Sequence, residues 1–284
     1  MFPESGTPYP FIKVLQSDSE SSSDLKPIQQ VNQYLLLKPI GEGSFAKVYY
    51  AINVENNKEF AIKKFKLMEL RSVESGISQL EREIKAMKQI NLPNIIHLYE
   101  VLYNSVDDIA YLVIEYADCG SLESIIERAY SNQFNSDDQN CQNPDPQNIN
   151  IKLPISFIRP IFIQILHALQ SLHEKGIIHQ DIKPSNILIK SEGLALLSDF
   201  GVGHSFQSAD MVVGSPAYQA PEAYIDYDDV EYDDPSKEDV WSLGITLYET
   251  LFGYLPYTGE NVYGIMANIK STPLIIPDCS PEIK

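Results

Sequence analysis

The stretch Ile178-His179-Gln180-Asp181-Ile182-Lys183-Pro184-Ser185-Asn186-Ile187-Leu188-Ile189, followed by Leu197-Ser198-Asp199-Phe200-Gly201, decides how the rest of the chain is read. Asp181 falls in a loop soon after a long helical pattern, with Lys183 and Asn186 at fixed offsets. Asp199 follows an apolar strand, and Gly201 gives it a flexible exit. Phosphoryl transfer needs a carboxylate to orient a hydroxyl and accept its proton, a cation for the phosphate, and two oxygen ligands for a hard divalent metal. One or two of these residues are common in ordinary loops. All four at these spacings are not, once the upstream residues are added.

Those upstream residues begin with Ile40-Gly41-Glu42-Gly43-Ser44-Phe45-Ala46-Lys47-Val48. Gly41-x-Gly43 alone is a weak signal. Its place between two strand patterns, residues 34–40 and 46–52, excludes a dinucleotide fingerprint and favours a β-hairpin whose backbone N–H groups can cover phosphates. Ala46 stands at the third glycine position, which costs closeness without forbidding a nucleotide. A third strand carries Ala61-Ile62-Lys63. A lysine on an apolar strand is costly to bury without a negative partner, and a triphosphate with a helix carboxylate would supply one. Ile77, Leu80, Ile84 and Met87 recur at helical intervals, with Glu83 towards their face; Glu81 is the alternative if that phase is shifted.

The pattern predicts an α+β chain. An antiparallel sheet with one helix comes first, then a mostly helical region from Ser121, hinged near residues 115–120. Residues 95–101 and 111–115 read as further strands. Residues 157–175 form an amphipathic helix capped by Gly176. Residues 131–150 read as a polar surface loop, and residues 1–33 as a disordered acidic tail with Ser17, Ser19, Ser21, Ser22 and Ser23 among Asp18, Glu20 and Asp24. Those serines could take phosphate from an acidophilic kinase.

Composition narrows the class. The chain has 284 residues, 44% hydrophobic, with 39 acidic against 21 basic side chains and a net charge of −18. That argues against nucleic acid as a partner, because phosphate neutralisation needs clustered Lys and Arg. Three unpatterned cysteines, Cys119, Cys141 and Cys279, speak against a disulfide framework or a zinc site. With no signal peptide in view and no apolar run near the ~20 residues of a membrane helix, we expect a soluble cytoplasmic protein with no membrane partner.

In these motifs the chain resembles a eukaryotic protein kinase of the Ser/Thr type over about residues 34–284. The resemblance implies a bilobal protein kinase fold, with a small lobe at about 34–117, a larger, mostly helical lobe at about 118–284, and a C-terminal end that looks incomplete. It implies ATP and Mg²⁺, with Asp181 as catalytic base, Lys183 beside it, Lys63 anchoring phosphates and Glu83 pairing with Lys63. Asn186 and Asp199 become metal ligands. Ile40 to Ala46, Val48, Ala61, Glu115, Ala117 and Leu188 become the nucleotide site, with Ile114 as gatekeeper. The stretch Gly214-Ser215-Pro216-Ala217-Tyr218-Gln219-Ala220-Pro221-Glu222 matches the end of an activation segment. Asp239-Val240-Trp241-Ser242-Leu243-Gly244 matches the helix that supports the catalytic loop. Protein substrates bearing Ser or Thr follow.

Residues 34–37, 98–104, 214–219 and 254–263 most resemble the upstream kinases of the AMP-activated kinase pathway, the liver kinase B and calcium/calmodulin-dependent kinase kinase groups. Gln180 stands where many kinases carry an arginine that pairs with an activation-loop phosphate. Neutral Gln cannot replace that contact, so a binding partner or constitutive folding is expected to order residues 202–213, which still offer Ser205 and Ser208. The acidic residues between Glu222 and Asp239 form a solvated loop or attract basic substrates. Glu222 is expected to lack its usual arginine. The rival readings are a pseudokinase scaffold, favoured by Ala46 and Gln180, and a small-molecule kinase.

Overall fold

The structure, a computed structural model, describes residues 14–15, 29–43, 45–74, 76–131, 151–199, 215–224, 234 and 236–277. The chain divides into two compact units, Met1–Asn91 with Ile95–Ala117, and Leu92–Asn94 with Asp118–Lys284.

In the first unit, seven antiparallel strands lie in the order β1-β2-β3-β4-β5-β7-β6. They are β1 (Val14–Leu15), β2 (Gln29–Val31), β3 (Tyr34–Glu42), β4 (Ala46–Asn53), β5 (Glu59–Lys66), β6 (Leu98–Asn104) and β7 (Ile109–Glu115). The sheet therefore starts before Tyr34, inside the stretch read as a tail. Val31 is fully buried there. Such short strands add too few apolar positions to lift a polar composition, so the pattern passes them by. β6 likewise begins at Leu98, three residues after the sequence pattern begins.

The register sorts residues onto two faces, because side chains alternate along a strand. Val48 pairs with Gly41 and Lys63, Lys63 with Leu112, and Ala61 with Ile114, so these residues share one face. The opposite face buries Leu36, Ala51, Phe60, Ile62, Tyr111 and Val113 in one apolar cluster. Each such large side chain contributes roughly 1.5–3 kcal/mol by leaving water.

Two helices follow β5 where the sequence suggests one. A five-residue α1 (Leu67–Arg71) buries Leu67 and Leu70 and precedes α2 (Gly76–Gln89). One turn is too short to display helical periodicity. In α2 the buried residues include Leu80, Glu83, Ile84 and Met87, which settles the helical phase in favour of Glu83 over Glu81.

The second unit contains α3 (Leu122–Tyr130), α4 (Ile155–His173), a hairpin of β8 (Ile187–Ile189) and β9 (Ala195–Leu197), α5 (Ser236–Phe252) and α6 (Val262–Ser271). Ser121 caps α3 by accepting from the Ser124 N–H at 3.2 Å. Gly176, at φ +70°, ends α4 by donating to the His173 carbonyl at 2.9 Å. The expected absence of a long apolar run is corrected here: α4 is 19 residues long with mean hydropathy 1.3, enough by length and composition to cross a membrane. Ile158, Ile161, Phe162, Ile165, Leu169 and Leu172 are buried, while Ile163 and Leu166 on the same helix are exposed. Residues 132–150 of the expected polar loop lie outside the described residues.

Candidate active site

The second unit gathers its functional residues around one buried carboxylate. Asp239 of α5 is fully buried, and its Oδ2 accepts from the His179 backbone N–H at 2.9 Å while Oδ1 accepts from that of Gln180 at 2.8 Å. His173, at the end of α4, places Nε2 2.7 Å from the same Oδ2. A buried charge needs this many donors to offset its lost hydration. Their reward is geometric, because Gln180 sits at φ +66°, a region costly for any residue with a side chain. Asp239 thus holds the loop that presents Asp181.

Asp181 is 7% exposed. Its Oδ2 accepts from Lys183 Nζ and from Asn186 Nδ2, both at 2.9 Å, and Asn186 also donates to the Asp181 carbonyl at 2.8 Å. Asn186 spends its amide donors on Asp181, which leaves its Oδ1, a hard oxygen, for a cation. The Ser198 N–H and hydroxyl both bond the Asn186 carbonyl, at 2.9 and 3.1 Å, and so fix the approach to Asp199. Asp199 itself adopts φ +60°.

His179 joins these pieces. It is fully buried, accepts the Asp181 N–H on Nδ1 at 3.3 Å, and reaches the Ser198 carbonyl with Nε2 at 3.0 Å. That network assigns the proton to Nε2. Burial holds its imidazole below the ordinary histidine range, against the opposing pull of Asp239 and Asp181. The ring is therefore a neutral strut.

In the first unit, Lys63 Nζ lies 3.5 Å from Glu83 Oε1, with the two side chains 17% and 2% exposed. The expected glycine hairpin is present. Gly41 and Glu42 pair with Val48 and Lys47, and the Gly43 N–H donates to the Ala46 carbonyl at 2.8 Å. Ile40 at its base is exposed. Neither glycine is left-handed, so their value lies in the missing side chain rather than in backbone freedom. Phe45 and Ala46 are half-buried; Glu115 is the last residue of β7, and Ala117 is buried two residues on. Ile114 is buried, and Leu188 lies half-buried on β8 of the second unit.

Further along the second unit, Tyr218 donates to Glu249 Oε2 at 2.6 Å, and its carbonyl accepts from Ser242 Oγ at 2.8 Å. Ala217 and Tyr218 pack with Ile245, Tyr257 and Ile265. Burial pushes the Glu249 carboxyl up to about 7; the Tyr218 hydrogen bond opposes this, and the charges of Glu123 and Glu127 add to it. Burial likewise raises Glu238, and Glu222 raises it further. Glu222 forms no ion pair among the described residues. Ser44, Phe200, Gly201, Gly214 and residues 202–213, with Ser205 and Ser208, lie outside them, as does most of the acidic run before Asp239. Among the described residues no group of three or more His, Cys, Asp or Glu side chains is placed to hold a metal.

The fold and this arrangement agree with what the chain matches. The protein kinase domain family covers residues 34–281, and the chain belongs to that family. It is 31% identical over 265 residues to serine/threonine-protein kinase STK11 of Homo sapiens, covering 91% of this chain and 56% of that protein. The same kinase from Xenopus laevis is 31% identical over 263 residues, covering 90% and 56%. The calcium/calmodulin-dependent protein kinase kinase of Caenorhabditis elegans is 30% identical over 304 residues, covering 98% and 51%. The chain spans about half the length of the curated relatives it matches. These are the groups that the sequence motifs resemble.

Sequence reasoning missed His173 as a partner of Asp239, and Glu249 as the partner of Tyr218. Both lie on helices where an amphipathic pattern shows only a polar interruption. It also missed Asn94, whose Nδ2 donates to Gln164 Oε1 at 2.7 Å and to the Ala195 carbonyl at 2.8 Å, fastening residues 92–94 to the second unit.

Proposed function

We propose that the chain is a catalytically active Ser/Thr protein kinase domain that transfers the γ-phosphate of ATP to protein hydroxyls. The observation that carries this reading is the Asp181–Lys183–Asn186 cluster. Among the described residues Oδ1 of Asp181 makes no hydrogen bond, while Oδ2 is occupied. Oδ1 is therefore the acceptor for a substrate hydroxyl proton. Lys183 offsets charge as the phosphate moves, and Lys63, oriented by Glu83, binds the phosphates under the hairpin of Gly41 and Gly43. Asn186 and Asp199 offer the oxygen ligands that suit Mg²⁺, which when bound neutralises phosphate charge. The presence of Lys63, Asp181, Asn186 and Asp199 together argues against the pseudokinase reading.

The test is transfer of labelled γ-phosphate to Ser/Thr peptides by purified protein. Asp181→Asn should lower the rate at least about a hundred-fold with little change in nucleotide affinity. Equal rates for the two proteins would overturn the assignment. Transfer to a metabolite but to no peptide would favour a small-molecule kinase.

The name of one relative, a protein kinase kinase, supports an upstream role in a signalling cascade, and a cytoplasmic location is part of the same proposal. Gln180, exposed and neutral, supports activation by a protein partner over activation-loop phosphate. Loss of activity on phosphatase treatment, restored by phosphorylation of residues 202–213 alone, would refute that.

A further inference from the structure

One face of β5 carries Lys63, and the other carries an amine that phosphate transfer does not use. Lys64 is partnered across its two ladders by Lys47 on β4 and Tyr111 on β7, and Lys66 follows two residues later on the same face. Lys47 meets Glu42 at 2.8 Å and Lys66 meets Glu69 at 2.7 Å, so carboxylates balance the outer two lysines. Lys64 is placed differently. Among the described residues it forms no ion pair, and its ammonium meets the Gln29 amide oxygen at 3.4 Å and the Tyr111 ring at 5.9 Å from its centroid.

Two conditions turn a lysine into a nucleophile, removal from water and neighbouring cations, because both favour the neutral amine. Lys64 meets both. It is half-buried, and Lys47 and Lys66 stand on its own face of the sheet. Burial holds its ammonium below the ordinary lysine range, Lys66 and Lys47 push it the same way, and Asp107 in the β6–β7 turn pulls against them. Lys47 is its opposite, since the hydrogen bond to Glu42 holds that ammonium above the ordinary range. With Phe45 and Tyr49, Lys64 also borders a cavity of about 490 Å³, which gives an electrophile room beside the amine.

We propose that Lys64 is a nucleophilic lysine, a modification site whose Nζ takes an acyl group from an acyl thioester. The neutral amine adds to the thioester carbonyl carbon, and an N–C bond forms as the C–S bond breaks. The thiolate leaves with the electron pair of that bond and takes up the proton lost by nitrogen. The product amide is neutral, so acylation removes one of two like charges opposed across the β4–β5 ladder, where they destabilise the pairing. Methylation would keep that charge. Phe45 and Tyr49 offer the acyl group apolar surface, and the amide N–H retains a proton to donate to Gln29.

The test treats the purified full chain near neutral pH with S-acetyl-N-acetylcysteamine, an acyl thioester that carries no nucleotide. Peptide mass spectrometry then reads the initial rate of acetylation at each lysine. In the folded chain Lys64 should react at least about five-fold faster than Lys47. In urea, where both amines are solvated alike, the ratio should fall to about one. Gln29→Glu sets a carboxylate beside the amine and should cancel the difference at an unchanged thermal midpoint. A smaller ratio in the folded chain, or one that persists in urea or in folded Gln29→Glu protein, overturns the site. Should that variant unfold, the two ratios of the parent chain decide alone.

Discussion

Gly253 has φ +80°, and a Cβ built on it would lie 2.5 Å from two ring atoms of Tyr130. Both facts forbid a side chain. Gly253→Ala should lower stability by about 2–4 kcal/mol, read as a drop in thermal midpoint. A Tyr130→Ala partner substitution should not restore it fully, because the backbone strain remains. Lys63 makes a contrasting prediction. Its 3.5 Å contact with Glu83 couples a strand cation to a buried helix carboxylate. Lys63→Met leaves that carboxylate buried without its cation, so phosphate transfer and thermal midpoint should fall together. In Glu83→Gln the midpoint should change less, because a neutral amide tolerates burial.

At the scale of elements, α5 organises the second unit through Asp239. One carboxylate receives two backbone N–H groups of the loop and a ring nitrogen from the end of α4. Asp239→Asn replaces one acceptor oxygen by a donor that faces N–H groups, so the loop at Gln180 should relax from its left-handed conformation. Amide hydrogen exchange of residues 177–182 should quicken, and transfer should slow by an order of magnitude or more, with far-ultraviolet circular dichroism unchanged. Protection like that of the parent chain would show that α5 does not hold the loop.

At the scale of the whole molecule, two buried groups give stability opposite responses to pH. Glu249 has a folded value of about 7 against an ordinary 4.5, so its contribution is complete below the ordinary value and lost as pH rises through about 7. His179 is depressed from 6.5, so its contribution is present above that value and lost as pH falls below it. Glu249→Gln keeps an acceptor for Tyr218 and removes the titration. Its thermal midpoint should exceed that of the parent chain near pH 8, and the difference should shrink towards pH 5. A pH-independent difference would mean that Glu249 is not the titrating group.

What the chain alone determined was which residues are proposed to react and the type of each long element. Lys63, Asp181, Asn186 and Asp199 were legible because phosphoryl transfer constrains residue type and spacing together, and α2 and α4 because burying one face imposes a 3.6-residue period. Short elements such as β2 and α1 escaped, since a strand of three residues or a helix of five is too brief to express a period. Only tertiary structure decided which carboxylate holds the loop, that His179 is a neutral strut, and what surrounds Lys63 and Lys64 on their two faces of the strand. Those outcomes depend on burial and on partners distant in sequence, and neither is written in local pattern.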